Sequence, residues 1–156
     1  MSEKTKTIIA YLIAILLFLG WLATRGCSDE INDLDDLNDL IPAIIEVESG
    51  GNPNALSEDG CRGIAQFSKI AWDEVMSKPY IPNVYNIELS KIACKRYLLL
   101  LKKRLGKDYT LERMIASYNM GLSKLQKLDY QWWKIKETKN YVKKVVISYC
   151  AYWGWE

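Results

Sequence analysis

The chain has 156 residues, 49% of them hydrophobic and 26% charged, with a net charge of +2. That is room for one ordinary domain and a little more. Histidine is absent, which excludes Ser-His-Asp and Cys-His nucleophile systems, histidine general bases and nearly all catalytic zinc sites. Acid–base chemistry near neutral pH then falls to a carboxyl group of raised pKa, or less often to Lys, Tyr or Cys.

The first segment carries Lys4 and Lys6 ahead of an uncharged apolar run from Ile8 to Ala23, closed by Arg25. As a helix that run spans roughly 24 Å, short for a hydrocarbon core of about 30 Å. Thr7, Thr24 and the interfacial Trp21 extend it enough to cross. A cleavable signal peptide is the competitor, but no A-x-A site follows, and Arg25 spoils a lipobox before Cys27. Residues 1–26 are therefore expected to form an uncleaved anchor. Lys4 and Lys6 place the N-terminus in the cytoplasm and the domain in the periplasm or outside the cell.

Residues 27–38 read as an acidic stalk, or as a frayed helix with Leu34, Leu37 and Leu40 at three-residue spacing, and residues 39–156 as a single all-α domain. Residues 28–48 hold eight Asp or Glu and no Lys or Arg. Asp39 is placed to cap a helix from about Leu40 to Ser49, with Pro42 in its first turn and Gly50 and Gly51 as its stop. Ser68 caps a short helix, and two prolines mark the loop SKPYIPNVYN. Asn86 caps a long helix ending at Gly106, and Thr110 caps another ending at Gly121. A last helix of about 15 residues is expected from near Thr138 to Gly154.

From Lys91 onward there are 15 Lys or Arg against 5 Asp or Glu. Solvated helix faces account for such a basic half, and an anionic surface is the alternative. No recognition motif accompanies the lysines, so nucleic acid is not expected as a partner. The four cysteines show no C-x-x-C pair, so a metal cluster is not expected. Outside the cytoplasm a Cys94–Cys150 disulfide is one pairing, and buried free thiols are the other reading.

The candidate chemistry sits in IIEVESGGNPNALSEDGCRGIAQ, residues 44–66. At 100° per residue Glu48 shares a helix face with Ile41, Ile44 and Ile45, while Glu46 lies nearly opposite. A carboxyl held against apolar side chains is poorly hydrated as an anion, so its pKa rises and it can serve as a general acid. A Glu simply bonded to nearby loop amides is the plainer alternative. The following loop, rich in Gly, Asn and Ser, reads as a compact fold with exposed backbone amides, ending at Gln66. Trp132 and Trp133 add aromatic surface, for packing or for stacking on a sugar.

VESGGNPNALSEDGCRGIAQF resembles the E-S-G-x-N-P-x-A-x-S-x-x-G-x-x-G-x-x-Q signature of the SLT-type lytic transglycosylases, with every spacing kept. ASYNMG and KETKNYVKKV resemble that family's A-x-Y-N-x-G and E-T-x-x-Y-V-x-x-V segments, in the same order. Gly-Ile-Ala-Gln in place of Gly-Leu-Met-Gln, and Cys61 where alanine is common, are mild departures. The resemblance implies a lysozyme-like, mainly α fold that cleaves the β-1,4 bond between N-acetylmuramic acid and N-acetylglucosamine in peptidoglycan. It implies Glu48 as the sole catalytic carboxylate, with no cofactor and no metal. Glu48 would protonate the glycosidic oxygen, then take the proton of the sugar's own 6-hydroxyl, leaving a 1,6-anhydro end. By the same matching Ser57, Gln66, Tyr118 and Asn119 line the substrate cleft, while Glu137 and Tyr141 fall on the last segment with Tyr141 near Glu48. Peptidoglycan strands are the implied partner, within a wall-spanning or virion assembly. A hydrolytic lysozyme on the same fold and a non-catalytic glycan-binding scaffold are the alternatives.

Overall fold

The computed structural model describes residues 36–152. The described residues all belong to one compact unit, Leu34–Glu156. The expected anchor and most of the stalk lie outside the described residues. Among the described residues no helix is long and apolar enough to cross a membrane.

Helix α1 covers Asp36–Ser49. It starts three residues before the expected Asp39 cap, because Leu37 and Leu40 are both fully buried and extend the apolar stripe backwards. Pro42 consequently sits inside the helix. Then follow α2 (Lys69–Val75), the single turn α3 (Tyr80–Asn83), α4 (Ile87–Leu105), α5 (Leu111–Met120), α6 (Leu122–Lys127) and α7 (Lys136–Tyr152). Short 3-10 turns occupy Gly106–Asp108 and Trp132–Lys134. Among the described residues the only β pairing is the isolated bridges Leu56–Arg62 and Arg62–Phe67.

The expected caps form. Ser68 accepts from the Ala71 amide, Asn86 from Leu89 and Thr110 from Arg113, each satisfying an orphan donor of the first turn. Gly106 and Gly121 end α4 and α5 at positive φ. The last helix begins at Lys136, two residues before Thr138.

Helix α1 packs along α7 and α4, while α5 sits among α4, α6 and α7. Ile44, Leu98, Leu101, Met114, Ile115 and Val145 are fully buried and form the heart of this bundle. Each such side chain contributes about 1.5–3 kcal/mol on leaving water. Cys150 is disulfide-bonded, but Cys61 and Cys94 are free. The Cys94–Cys150 pairing is thus absent, and Cys94 takes the other expected state, a fully buried thiol.

Candidate active site

Glu48 occupies the last turn of α1, where the buried face of the helix meets the loop of residues 50–68. Glu46 is exposed, as the helix geometry requires. Gly50 closes the helix at φ +59°, its amide donating to the Glu46 carbonyl at 3.0 Å. Ser49 Oγ donates to the Ile64 carbonyl at 2.8 Å and ties the helix end to the far arm of the loop.

The loop folds on itself. Ser57 and Cys61 exchange two bonds: the Ser57 amide donates to the Cys61 carbonyl, and Ser57 Oγ accepts from the Cys61 amide, both at 3.0 Å. Arg62 and Phe67 exchange backbone bonds at 3.0 Å in each direction. Gly63 is buried at φ +76°, and a Cβ there would lie 2.2 Å from the Val84 carbonyl oxygen, so only glycine fits. Gln66 adopts φ +48°, with Nε2 donating to the Gly63 carbonyl at 2.9 Å.

The Tyr141 hydroxyl, on α7, donates to Glu48 Oε1 at 2.6 Å. Burial pushes the Glu48 carboxyl up from 4.5 to about 7, against the downward pull of that hydrogen bond. Desolvation wins because the surroundings are dry: Cys94, fully buried nearby, has its thiol pushed up to about 12 by burial. Burial, followed by the Glu48 charge, also holds the Tyr141 hydroxyl well above its usual range, so it stays a donor. Near neutrality Glu48 is poised between acid and base. Glu46, two residues away in water, has no such environment.

Glu48 opens onto a cleft of about 360 Å³. Ser57 and Gln66 line it from the loop, Tyr118 and Asn119 from the end of α5, and Glu137 from the first turn of α7. Six of the seven expected site residues therefore line one cavity. Tyr141, the seventh, lies behind Glu48 and reaches the carboxylate rather than the open cleft. The Tyr118 hydroxyl donates to the Ala65 carbonyl at 2.8 Å, so this residue also braces the loop. Asn119 Oδ1 accepts from buried Thr138 at 2.9 Å, which orients its amide and leaves the NH₂ group as a donor.

Three contributors escaped the sequence reading. Asp59 and Tyr97 also line the cleft, and Thr138 fixes Asn119. Tyr97 is drawn in by an aromatic cluster, edge-on to Phe67 and Tyr118 at ring separations of 5.9 and 5.6 Å. Among the described residues no group of three or more Cys, Asp or Glu is placed to hold a metal ion.

A helical bundle whose first helix ends in one dry carboxylic acid, facing a polar cleft walled by a glycine-rich loop, defines a lysozyme-like domain. The Transglycosylase SLT domain matches residues 32–145, well over half of the chain, and the protein belongs to that family. No curated protein sequence matches it. Among solved structures, it is similar to an inactive mutant of the lytic transglycosylase Slt from Pseudomonas aeruginosa, with TM-score 0.63 and 19% identity. It is also similar to the 70 kDa soluble lytic transglycosylase of Escherichia coli, with TM-score 0.58 and 20% identity. The matches cover 74% of this chain in both cases, but only 21% and 22% of those longer proteins, and they establish likeness of fold.

Proposed function

We propose that the chain is a peptidoglycan lytic transglycosylase with Glu48 as its catalytic residue. The observation that carries this reading is a cleft-facing carboxyl whose pKa is raised to about 7. A carboxylic acid protonates the glycosidic oxygen as the bond to C1 of N-acetylmuramic acid breaks. The resulting carboxylate, steadied by the Tyr141 hydroxyl, accepts the proton of the same sugar's 6-hydroxyl as O6 closes on C1. The proton returns to Glu48, no water is consumed, and the strand ends in a 1,6-anhydro sugar. A group near pKa 7 serves both steps because neither protonation state is far out of reach. Ser57, Gln66, Tyr118 and the Asn119 amide contact sugar hydroxyls and acetamido groups along the cleft.

The residues of 1–26 are proposed to anchor this domain in a membrane, on the outer side of which it opens the wall locally. Secretion or conjugation machines and phage particles are the settings that need such local opening. The apolar run from Ile8 to Ala23 and the lysines before it support the anchor.

A hydrolytic reading has one observation in its favour: Asp59 and Glu137 line the same cleft as Glu48, and a second carboxylate could position a water. Digestion of purified peptidoglycan followed by mass spectrometry separates the two. Transglycosylation gives 1,6-anhydro ends, whereas reducing ends would establish hydrolysis instead. Glu48→Gln should lower the rate by about 10³-fold or more, within the range removal of a general acid–base produces. Undiminished digestion by that variant would remove Glu48 from the mechanism.

A further inference from the structure

A second, larger groove of about 930 Å³ adjoins the cleft, and the two share Tyr97 and Gly121 in their walls. Helix α6 forms part of its wall and carries Lys124 and Lys127 into the lining. Both lysines are exposed, and neither makes a hydrogen bond or ion pair with another described residue. The groove's acidic residue, Glu74, is already bonded to Arg104 at 2.8 Å. The two lysines therefore leave this groove cationic. The helix bearing them is pinned by Leu125, fully buried between the two, and by the turn at Gly121, whose carbonyl accepts the Leu125 amide at 3.1 Å. The lysines thus project from a fixed platform rather than a loose loop.

This placement rests on the proposed function and extends it. The sugar backbone of peptidoglycan offers no anionic charge to such a groove, because the lactyl carboxyl of the muramic acid is consumed in the amide to its peptide. The negative charge lies on the peptide stem, in the free carboxylates of its glutamate, diacid and terminal residues. We infer that the groove lined by Lys124 and Lys127 binds the carboxylate-bearing peptide stem of the strand whose sugars occupy the Glu48 cleft. Lys124 and Lys127 are thus specificity residues, selecting strands that still carry their peptides over stripped glycan. Lysine suits this task as a mobile point charge that follows carboxylates of variable position.

The test uses the full chain and the free stem tetrapeptide L-Ala-D-Glu-diaminopimelate-D-Ala, titrated by NMR at low salt. The peptide should perturb amides of α6, and Lys124→Glu/Lys127→Glu should weaken its binding at least tenfold, since exposed pairs are modest singly but here change sign. No binding, or equal binding to both proteins, overturns the inference. Cleavage gives a second readout on amidase-stripped strands whose freed lactyl carboxyls have been capped as methylamides: the ratio of kcat/KM on intact wall to that on these uncharged strands should fall about threefold or more in Lys124→Ala/Lys127→Ala, through KM. A parallel loss on both substrates would make this a sugar subsite and overturn the stem assignment. A wild type that cuts neither substrate would defeat the proposed function, while the peptide titration would still decide the groove.

Discussion

On one side of the cleft, residues 50–68 are held by paired backbone bonds, a Ser57 hydroxyl cap, and four glycines and a glutamine at positive φ. On the other side, the end of α5, the short helix α6 and the start of α7 are held mainly by side-chain burial: Leu125, Thr138 and Tyr141. The first wall contains almost no large buried side chain until Ile64, so its shape depends on backbone geometry. The second depends on apolar packing, and tolerates exposed lysines one residue away from buried anchors. A wall made of backbone bonds fails abruptly when one φ is denied, whereas a packed wall yields gradually.

Gly63→Ala is the sharpest way to break the first wall. The new methyl would meet the Val84 carbonyl oxygen at 2.2 Å and hold a residue at φ +76° that L side chains avoid. That oxygen is itself fixed, accepting from the buried Ser90 hydroxyl at 2.6 Å, so it cannot retreat freely. A loss of roughly 3 kcal/mol or more is expected in urea unfolding, among the larger effects of a single substitution. A change under about 1 kcal/mol would show that the loop bends as easily as the packed wall.

Glu48→Gln tests what the dry junction between the walls costs. Between pH 4.5 and 7 the unfolded chain releases a proton that native Glu48 keeps, so this group lowers stability progressively as pH rises through that window. Below it both states are protonated and the cost vanishes. Removing the ionisable group should make the variant more stable than wild type at pH 8, by up to about 3 kcal/mol, and similar to it at pH 4. Parallel stability curves for the two proteins would mean that Glu48 is as well hydrated as Glu46.

The same contrast explains how far the sequence could be read. Helix caps are local, so Ser68, Asn86 and Thr110 were legible from a few residues each, and the helix period alone separated Glu48 from Glu46. The spacing of Leu37 and Leu40 already hinted at a helix before Asp39, but the start of α1 was set too late because the burial that holds Leu37 comes from the tertiary fold. Helix α6 was missed for its brevity: LSKLQK contains one buried residue, Leu125. Ser57, Gln66, Tyr118 and Asn119 were located through the resemblance to a family rather than through periodicity. Asp59, Tyr97 and Thr138 enter the site only through tertiary contacts, and the Cys94–Cys150 pairing failed for the same reason.

Tyr141→Phe probes the smallest of these effects, a single hydrogen bond from the packed wall to the acid at the end of α1. That bond favours the charged carboxylate, so losing it leaves desolvation unopposed and the Glu48 pKa moves further above 7. Two consequences follow with opposite signs. The general acid stays protonated to higher pH, which carries the alkaline limb of the rate profile upward. The carboxylate formed as the glycosidic bond breaks loses a bond worth about 1.5–3 kcal/mol to a charged acceptor, which lowers the rate at the optimum by about tenfold or more. A tyrosine that merely filled space would lower the rate equally at every pH and leave the limb in place. The displaced limb together with the lower peak is therefore the signature that Tyr141 acts through Glu48.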